Sequence, residues 1–227
     1  MKYCKIDFKG IFGNGQPVLG HANGEFVPNG KAYFDRMGKG EIIEDAPIFD
    51  YFYLKSYGSK EDWEWRLQDI HGGIGVYPRG ADWYISDDFK VLLENFKIAP
   101  KYHFYETRLL YKGKKLKYWI FQFPMTPLQN YNYEQSHFYY ENENNKVVIS
   151  INDEQEFQFK RGELLLVHDI RLQCSKITIK ENYDLIYVLP WGDKIISQNL
   201  KKAIEDAGLQ GFIFSELDYE VVVENEK

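Results

Sequence analysis

Two segments of the chain share one pattern of serine, apolar and charged residues, and this repeat constrains the fold more than any other feature. At a constant offset, the matched positions are Ile85 and Ile196, Ser86 and Ser197, Phe89 and Leu200, Lys90 and Lys201, Leu93 and Ile204, Glu94 and Glu205, and Ile98 and Leu209. After a one-residue shift, Tyr102, Phe104 and Glu106 match Phe212, Phe214 and Glu216. A chain with such a repeat is expected to build one local structure twice.

Each copy predicts a short strand, a capping serine, a helix and a second strand. Ser86 and Ser197 each end an apolar run and begin a pattern of apolar residues at helical spacing. A serine hydroxyl at that position can accept a hydrogen bond from an amide of the first turn. Gly208 predicts the end of the second helix, because glycine adopts the left-handed conformation that ends many helices. The aromatic-rich segments 102–105 and 212–214 then predict strands.

The remaining residues predict mostly strands. In the second half we expect strands at 147–151, 156–160 and 163–167, with a hairpin turn at Asn152-Asp153. The helices are too few to cover the crossovers that a parallel sheet needs. The expected class is therefore α+β, with mostly antiparallel sheet and a few helices packed on it, and the repeat allows two similar halves.

The expected organisation has three parts. An N-terminal half over 1–124 contains the first copy, and a C-terminal half over 147–227 contains the second. Between them, residues 125–146 are dense in Tyr, Asn and Glu, and we expect a linker or loop there. A chain of 227 residues also allows the two halves to form one compact domain.

Net charge and cysteine content indicate which classes of partner and which cellular compartment the sequence favours. The net charge of −6 disfavours a general nucleic-acid-binding protein, which needs a basic surface to displace counterions. Cys4 and Cys174 form no CxxC pair, and two free thiols are typical of a reducing compartment. The sequence starts without a signal-peptide pattern, and no apolar run approaches the ~20 residues of a spanning helix. We expect a cytoplasmic protein that binds neither nucleic acid nor membrane; its oligomeric state stays open.

The chain shows no catalytic pattern. No two of its five histidines have helical or zinc-type spacing; they are His21, His71, His103, His137 and His168. The glycine-rich segment 71–75 lacks the GK[ST] ending of a phosphate-binding loop. Neither Ser86 nor Ser197 lies in a GxSxG elbow. We therefore predict that the chain is not an enzyme and has no catalytic, metal-binding or cofactor-binding residues.

Aromatic residues beside Asn and Glu are the best candidates for contact with a partner. Tyrosine offers a large contact area at low rotamer cost together with a hydroxyl for specificity. Trp63 and Trp65 flank Glu64 and point to one side of a predicted strand. The predicted partner-binding residues are Trp63, Trp65, Tyr131, Tyr133, Tyr139, Tyr140, Glu141 and Glu143.

The second copy resembles a known family signature. The segment 184–189 followed by Ile196-Ser197-x-x-Leu200-Lys201-x-Ala203-Ile204-Glu205-x-Ala207-Gly208-Leu209-x-Gly211-Phe212-x-Phe214 is similar to the C-terminal signature of bacterial immunity proteins that accompany polymorphic toxins. The first copy, with Trp119 and its neighbours, resembles the related first half of such proteins. The similarity extends over roughly 50–124 and 184–217.

The resemblance implies a cytoplasmic inhibitor that is not an enzyme. Such a protein binds its cognate secreted or contact-delivered toxin by direct protein-protein contact, and the resemblance assigns no contact residues. Two other functions stay open. One is a binding module for a small ligand, such as a sugar or nucleotide, which clustered Trp and Tyr would suit. The other is a hydrolase with a dispersed site that uses His71, His137 or His168.

Overall fold

The structure is a computed structural model that describes residues 2–9, 20–55, 66–79, 83–123, 128–142, 145–188 and 192–224. These residues form four helices and fourteen strands, which confirms the α+β class. The helices are α1 (Gly30–Met37), α2 (Asp87–Leu93), α3 (Glu154–His168) and α4 (Gln198–Asp206). The strands are β1 (Tyr3–Phe8), β2 (His21–Asn23), β3 (Phe49–Lys55), β4 (Ile70–His71), β5 (Trp83–Ser86), β6 (His103–Tyr111), β7 (Lys114–Gln122), β8 (Tyr131–Asn142), β9 (Asn145–Ile149), β10 (Gln173–Ile179), β11 (Leu185–Val188), β12 (Asp193–Ser197), β13 (Phe212–Ser215) and β14 (Glu220–Val223).

Two of the three sheets contain the same antiparallel arrangement of four strands. The six-stranded sheet has the order β2-β3-β6-β7-β5-β4, and a four-stranded sheet has the order β11-β12-β1-β13. We call β4, β5, α2, β6 and β7 the first repeat, and β11, β12, α4, β13 and β1 the second repeat. Ser86 lies opposite Tyr118, and Ser197 lies opposite Tyr3. Strand β1 therefore takes the place in the second repeat that β7 takes in the first.

The predicted serine caps are confirmed in both repeats. The Ser86 Oγ accepts a hydrogen bond from the Phe89 amide at 3.2 Å, and the Ser197 Oγ accepts one from the Leu200 amide at 3.1 Å. Gly208 follows the end of α4 with a φ of 66°, the left-handed conformation that its position predicts. Strand, cap, helix and strand thus recur in both copies.

Each capping serine also binds an aspartate that lies just before the outer strand of its repeat. The Ser86 hydroxyl donates to Asp69 Oδ1 at 2.7 Å, and the Ser197 hydroxyl donates to Asp184 Oδ1 at 2.6 Å. Asp69 precedes β4 and Asp184 precedes β11. Both hydrogen-bonding roles of each hydroxyl are therefore used within the fold.

The second oxygen of each aspartate binds the opposite repeat. Asp69 Oδ2 accepts a hydrogen bond from the Gln210 amide at 2.6 Å, just after α4. Asp184 Oδ2 accepts one from the Lys97 amide at 3.1 Å, just after α2. The Asp69 amide donates to the Gln210 carbonyl, and the Asp184 amide donates to the Lys97 carbonyl, at 3.0 and 2.7 Å. These reciprocal contacts, which we call the aspartate clasps, join the two repeats.

The clasps correct one matched pair of the sequence repeat. Lys97 and Gln210 take equivalent positions in the two clasps, so the matched pair Ile98 and Leu209 is not equivalent. The cause is the length of the helices, since α4 has nine residues and α2 has seven. The register then returns to the predicted match. Phe104 lies opposite Phe121 in the first repeat, and Phe214 lies opposite Ile6 in the second.

The third sheet, of order β14-β10-β8-β9, contains the largest differences from the sequence prediction. Residues 131–142 form the long strand β8 and not the linker or loop that we expected over 125–146. At its start, buried Tyr131 and Tyr133 alternate with the more exposed Asn132 and Glu134, as one buried face of a strand requires. The predicted strands at 156–160 and 163–167 and the turn at 152–153 are also wrong, since α3 begins after Asp153 and spans both segments.

The core connects all three sheets. One cluster contains Ile6 and Ile196 of the second repeat, Leu93 of the first and Phe138 of the third sheet. A second cluster lies between α1 and the six-stranded sheet, around Phe34. The predicted halves 1–124 and 147–227 therefore share a sheet, through β1, and a core.

Candidate protein-interaction surface

Helix α3 carries the main apolar surface of the described residues. The Asp153 carboxylate accepts a hydrogen bond from the Glu156 amide at 2.8 Å, and the Glu156 carboxylate accepts one from the Asn152 amide at 2.9 Å. Glu154 and Glu156 place negative charge in the first turn, where it complements the helix dipole. The helix ends at Asp169, whose φ of 53° is left-handed. Local chemistry at both ends therefore fixes this helix.

One face of α3 packs on the third sheet. Phe157 and Leu164, seven residues apart, are its buried side chains. The ring centroid of Phe157 lies 5.4 Å from that of Tyr133 and 5.6 Å from that of Phe138, both on β8. These contacts hold the helix against the sheet and determine which side chains face solvent.

Four apolar side chains of α3 are exposed: Phe159 and Leu166 lie opposite the buried side chains, and Leu165 and Val167 lie to either side of them. Phe159, Leu165, Leu166 and Val167 have exposed fractions of 64%, 44%, 85% and 70%. We call these four residues the α3 ridge. Gly162 lies between Phe159 and Leu166, and an added Cβ there would meet no atom within 4 Å. A cluster of exposed apolar side chains costs free energy in water and commonly marks a contact site.

A cavity lined by both polar and apolar side chains lies between α3 and the end of β8. It has a volume of ≈ 290 Å³ and is lined by Tyr140, Lys160, Glu163 and His168, among others. The Lys160 ammonium donates to the Glu163 carboxylate at 2.9 Å, and this pair raises the pKa of Lys160. The candidate surface thus combines the apolar ridge with a charged, aromatic border.

Two of the sequence-predicted contact residues belong to the core. Tyr131 and Tyr133 are buried on β8, where their rings pack in the core. The Tyr133 hydroxyl donates to the Leu128 carbonyl at 2.9 Å, and burial raises the pKa of Tyr133. Both side chains lie on the face of β8 that packs inward, which the alternation of the strand requires.

Three others lie near the surface at the end of β8. Tyr139 and Tyr140 are half-buried, and Glu141 is exposed. The Lys146 ammonium lies 3.7 Å from the Tyr139 ring centroid, so this ring already has a cationic neighbour. Tyr140 contributes to the cavity beside α3. The other three candidates, Trp63, Trp65 and Glu143, lie outside the described residues.

His71 has a structural role. Its Nε2 accepts a hydrogen bond from the Gln68 amide at 3.2 Å, and its Nδ1 donates to the Gly20 carbonyl at 2.7 Å. Burial lowers the pKa of His71 to about 4, so the ring is neutral at pH 7. With both nitrogens bound inside the fold, His71 has no site left for a substrate.

The other candidates for chemistry are dispersed. His71, His137 and His168 lie on β4, β8 and α3, respectively. Within the described ranges, no three His, Cys, Asp or Glu side chains group as a metal ion would need. Burial raises the pKa of both Cys4 and Cys174, which keeps the thiols neutral and unreactive. None of the helices in the described part of the chain has the length and apolar character to cross a membrane.

Comparisons with known proteins assign no family. No protein-family model matches the chain, and no curated protein matches it. Function is therefore inferred from the surfaces and grooves of this structure, together with the resemblance seen in the sequence.

Proposed function

We propose that this chain is an immunity protein. It binds a cognate secreted or contact-delivered bacterial toxin in the cytoplasm and neutralises it by direct protein-protein contact, without catalysis. The observation that carries the proposal is the α3 ridge, an exposed group of four large apolar side chains on one helix. Such a group is typical of a surface that a protein partner covers.

Two further features support a binding role. Aromatic and charged side chains border the ridge at Tyr140, Lys160 and Glu163, in the arrangement of apolar centre and polar rim that interfaces show. The repeated unit contributes caps, clasps and core, which form a rigid support for such a surface. The sequence resemblance to immunity proteins supplies the identity of the partner as a toxin.

Rescue of growth tests the proposal. The toxin encoded beside this chain is expressed in a sensitive strain with and without the chain, and we expect the chain to restore growth. Phe159→Ser together with Leu166→Ser should weaken rescue by at least about tenfold in the toxin dose tolerated, because both side chains would lose buried contact area. Both residues are exposed, so the melting temperature should change little.

A matched control shows whether a loss of rescue is specific to the α3 ridge. Val91→Ser changes a half-exposed apolar residue on α2 and should leave rescue intact. Failure of the unmodified chain to rescue growth would contradict the immunity function. Full rescue by the double variant would show that the toxin binds elsewhere on the molecule.

The hydrolase alternative has little structural support. It requires histidines with free ring nitrogens, and His71 has none. His137 and His168 are exposed on β8 and α3. Their replacement by alanine should leave rescue unchanged if the chain acts by contact.

A further inference from the structure

The second repeat contains an open groove where the first repeat contains a tryptophan. Trp119 follows Tyr118, the residue opposite Ser86, and Cys4 follows Tyr3, the residue opposite Ser197. Trp119 and Cys4 are therefore equivalent. The groove beside Cys4 has a volume of ≈ 610 Å³. A small side chain at Cys4, where the first repeat has an indole ring, leaves space beside β1 for this groove.

The indole of Trp119 is held by two cations and a carboxylate. The Lys90 and Lys117 ammonium groups lie 5.0 and 4.8 Å from its ring centroid. Its Nε1–H donates to Asp87 Oδ1 at 2.8 Å. The Lys90 ammonium also lies 5.9 Å from the ring centroid of Phe104. Lys90, Lys117 and Asp87 thus form a binding site for an indole ring, in which cations face the ring and an acceptor meets its N–H.

The second repeat has the corresponding side chains around its groove. Lys201 is equivalent to Lys90, and its ammonium lies 5.3 Å from the Phe214 ring centroid, as Lys90 lies near Phe104. By the same register, Lys2, Gln198 and Phe214 correspond to Lys117, Asp87 and Phe104. All four side chains line the groove, as does Cys4. Gln198 keeps an oxygen that can accept a hydrogen bond where Asp87 has its carboxylate.

Apolar residues from outside the second repeat also line the groove. Leu217, Tyr219 and Val221, from β14 and the segment before it, line the groove as well and enlarge its apolar surface. Its volume lies within the ~300–1,000 Å³ of ligand sites. The buried, neutral thiol of Cys4 adds a small apolar group to its lining.

We propose that this groove binds an aromatic side chain, preferably tryptophan, that a partner protein presents. The bound ring takes the place that Trp119 holds in the first repeat, with Lys201 and Lys2 near the ring and Gln198 accepting its N–H. Such a ring is an anchor residue of the kind that dominates protein interfaces. The partner is the toxin, so this identification rests on the proposed function, whereas the aromatic specificity rests on the repeat alone.

A tryptophan placed in the groove tests its shape. Cys4→Trp should fold with a melting temperature within a few degrees of that of the unmodified chain. The groove has room for the indole ring, and Lys2, Gln198, Lys201 and Phe214 already line it. Cys174→Trp is the matched control, because Cys174 is equally buried but lines neither cavity. Overpacking there should lower the melting temperature by about 10 °C. An equal loss in Cys4→Trp would overturn the proposal.

Titration with a capped amino acid tests recognition directly. N-acetyl-tryptophanamide, followed by amide NMR shifts, should bind with a millimolar dissociation constant and shift the signals of Cys4, Gln198, Lys201 and Phe214. N-acetyl-alaninamide should shift none of them. The absence of shifts with the tryptophan probe overturns the proposal even if Cys4→Trp fails to fold. Free tryptophan binding at least tenfold more tightly than the capped form would overturn the protein partner in favour of a metabolite.

The toxin assay separates this inference from the immunity function. Cys4→Trp should fail to bind the probe and should lose rescue against the toxin. If the probe binds but the unmodified chain gives no rescue, the aromatic-binding groove is supported and the immunity function is contradicted. If Cys4→Trp folds and rescues fully, the toxin does not use the groove and the proposed occupant is wrong.

Discussion

Asp69 and Asp184 have the same structural role in the two repeats. Each carboxylate accepts a serine hydroxyl from its own repeat and a backbone amide from the other repeat. Both oxygens are thereby used, and each serine acts as acceptor and donor at once. The sequence predicts the serines as caps from their immediate neighbours. Their aspartate partners lie 17 and 13 residues upstream, beyond any local pattern.

The clasps predict equal costs for equivalent changes. Asp69→Asn and Asp184→Asn should each lower the free energy of unfolding by about 1–3 kcal/mol, because an amide NH₂ replaces one accepting oxygen and leaves a donor unpaired. Urea unfolding measures both. Asp206→Asn is the control, since its exposed ion pair with Lys202 should contribute less than about 1 kcal/mol. Losses for the two clasp variants that match the control would show that the clasps do not stabilise the fold.

His71 makes stability depend on pH. Its pKa falls from 6.5 to about 4 on folding, so between these values the unfolded chain binds a proton that the folded chain does not. Stability should be complete above pH 6.5 and should decrease by about 3 kcal/mol as the pH falls to 4. Urea midpoints at pH 7.5, 6 and 4.5 measure this decrease.

A variant isolates the contribution of His71 from that of other groups. His71→Gln should be less stable at pH 7.5 but should lose less further stability towards pH 4.5. His137→Gln, on the exposed side of β8, should follow the pH dependence of the unmodified chain. The same pH dependence in His71→Gln would assign the effect to another group.

At the scale of elements, the sequence predicts what local chemistry determines. Serine caps, Gly208 and the helical spacing of apolar residues define α2 and α4 without tertiary information. Helix α3 differs because its short apolar runs fit strands as well as helices. The signal for a helix was Asp153 three residues before Glu156, which is a helix-start pattern and not a hairpin turn. Missing it concealed the α3 ridge.

The candidate surface was predicted only in part for a related reason. Tyr139, Tyr140 and Glu141 do lie beside α3 or near the surface, but Tyr131 and Tyr133 are core residues. The residues of β8 alternate between the core and solvent. Composition alone cannot separate these faces, and the bulges in its pairing with β10 shift the alternation further.

The two helices of the repeats should respond alike to matched substitutions. Leu93→Ala in α2 and Ile204→Ala in α4 should each cost about 2–5 kcal/mol, since both side chains are fully buried. Ser197→Ala, which removes both the cap and the hydroxyl that binds Asp184, should cost about 2 kcal/mol. Val91→Ala, at a half-exposed position of α2, serves as the control and should cost less than about 0.5 kcal/mol. A loss for Val91→Ala as large as that for Leu93→Ala in urea melts would contradict this packing.

At the scale of the whole molecule, residues 3–8 link the repeats. Strand β1 lies between β12 and β13, where it completes the second repeat. The Lys5 ammonium binds the Asp193 and Asp218 carboxylates, each at 3.1 Å, so β1 is also tied to the segment before β14. The shared core and the clasps then connect this sheet to the first repeat. We therefore expect the two predicted halves to unfold together in a single transition.

Unfolding of an Ile6→Ala variant tests this connection. Ile6 is buried at the centre of β1, and its truncation should lower the free energy of unfolding by about 2–5 kcal/mol. Far-UV circular dichroism reports on the whole chain. In a background with Trp63, Trp65 and Trp191 replaced by Phe, the fluorescence of Trp83 and Trp119 reports on the first repeat. Because one core joins the repeats, both signals should shift to the same lower urea midpoint. Ile213→Ala, half-exposed on β13, should shift neither. If the fluorescence midpoint stayed in place while the dichroism signal moved, the second repeat would unfold alone, and the clasps could not be what holds the molecule together.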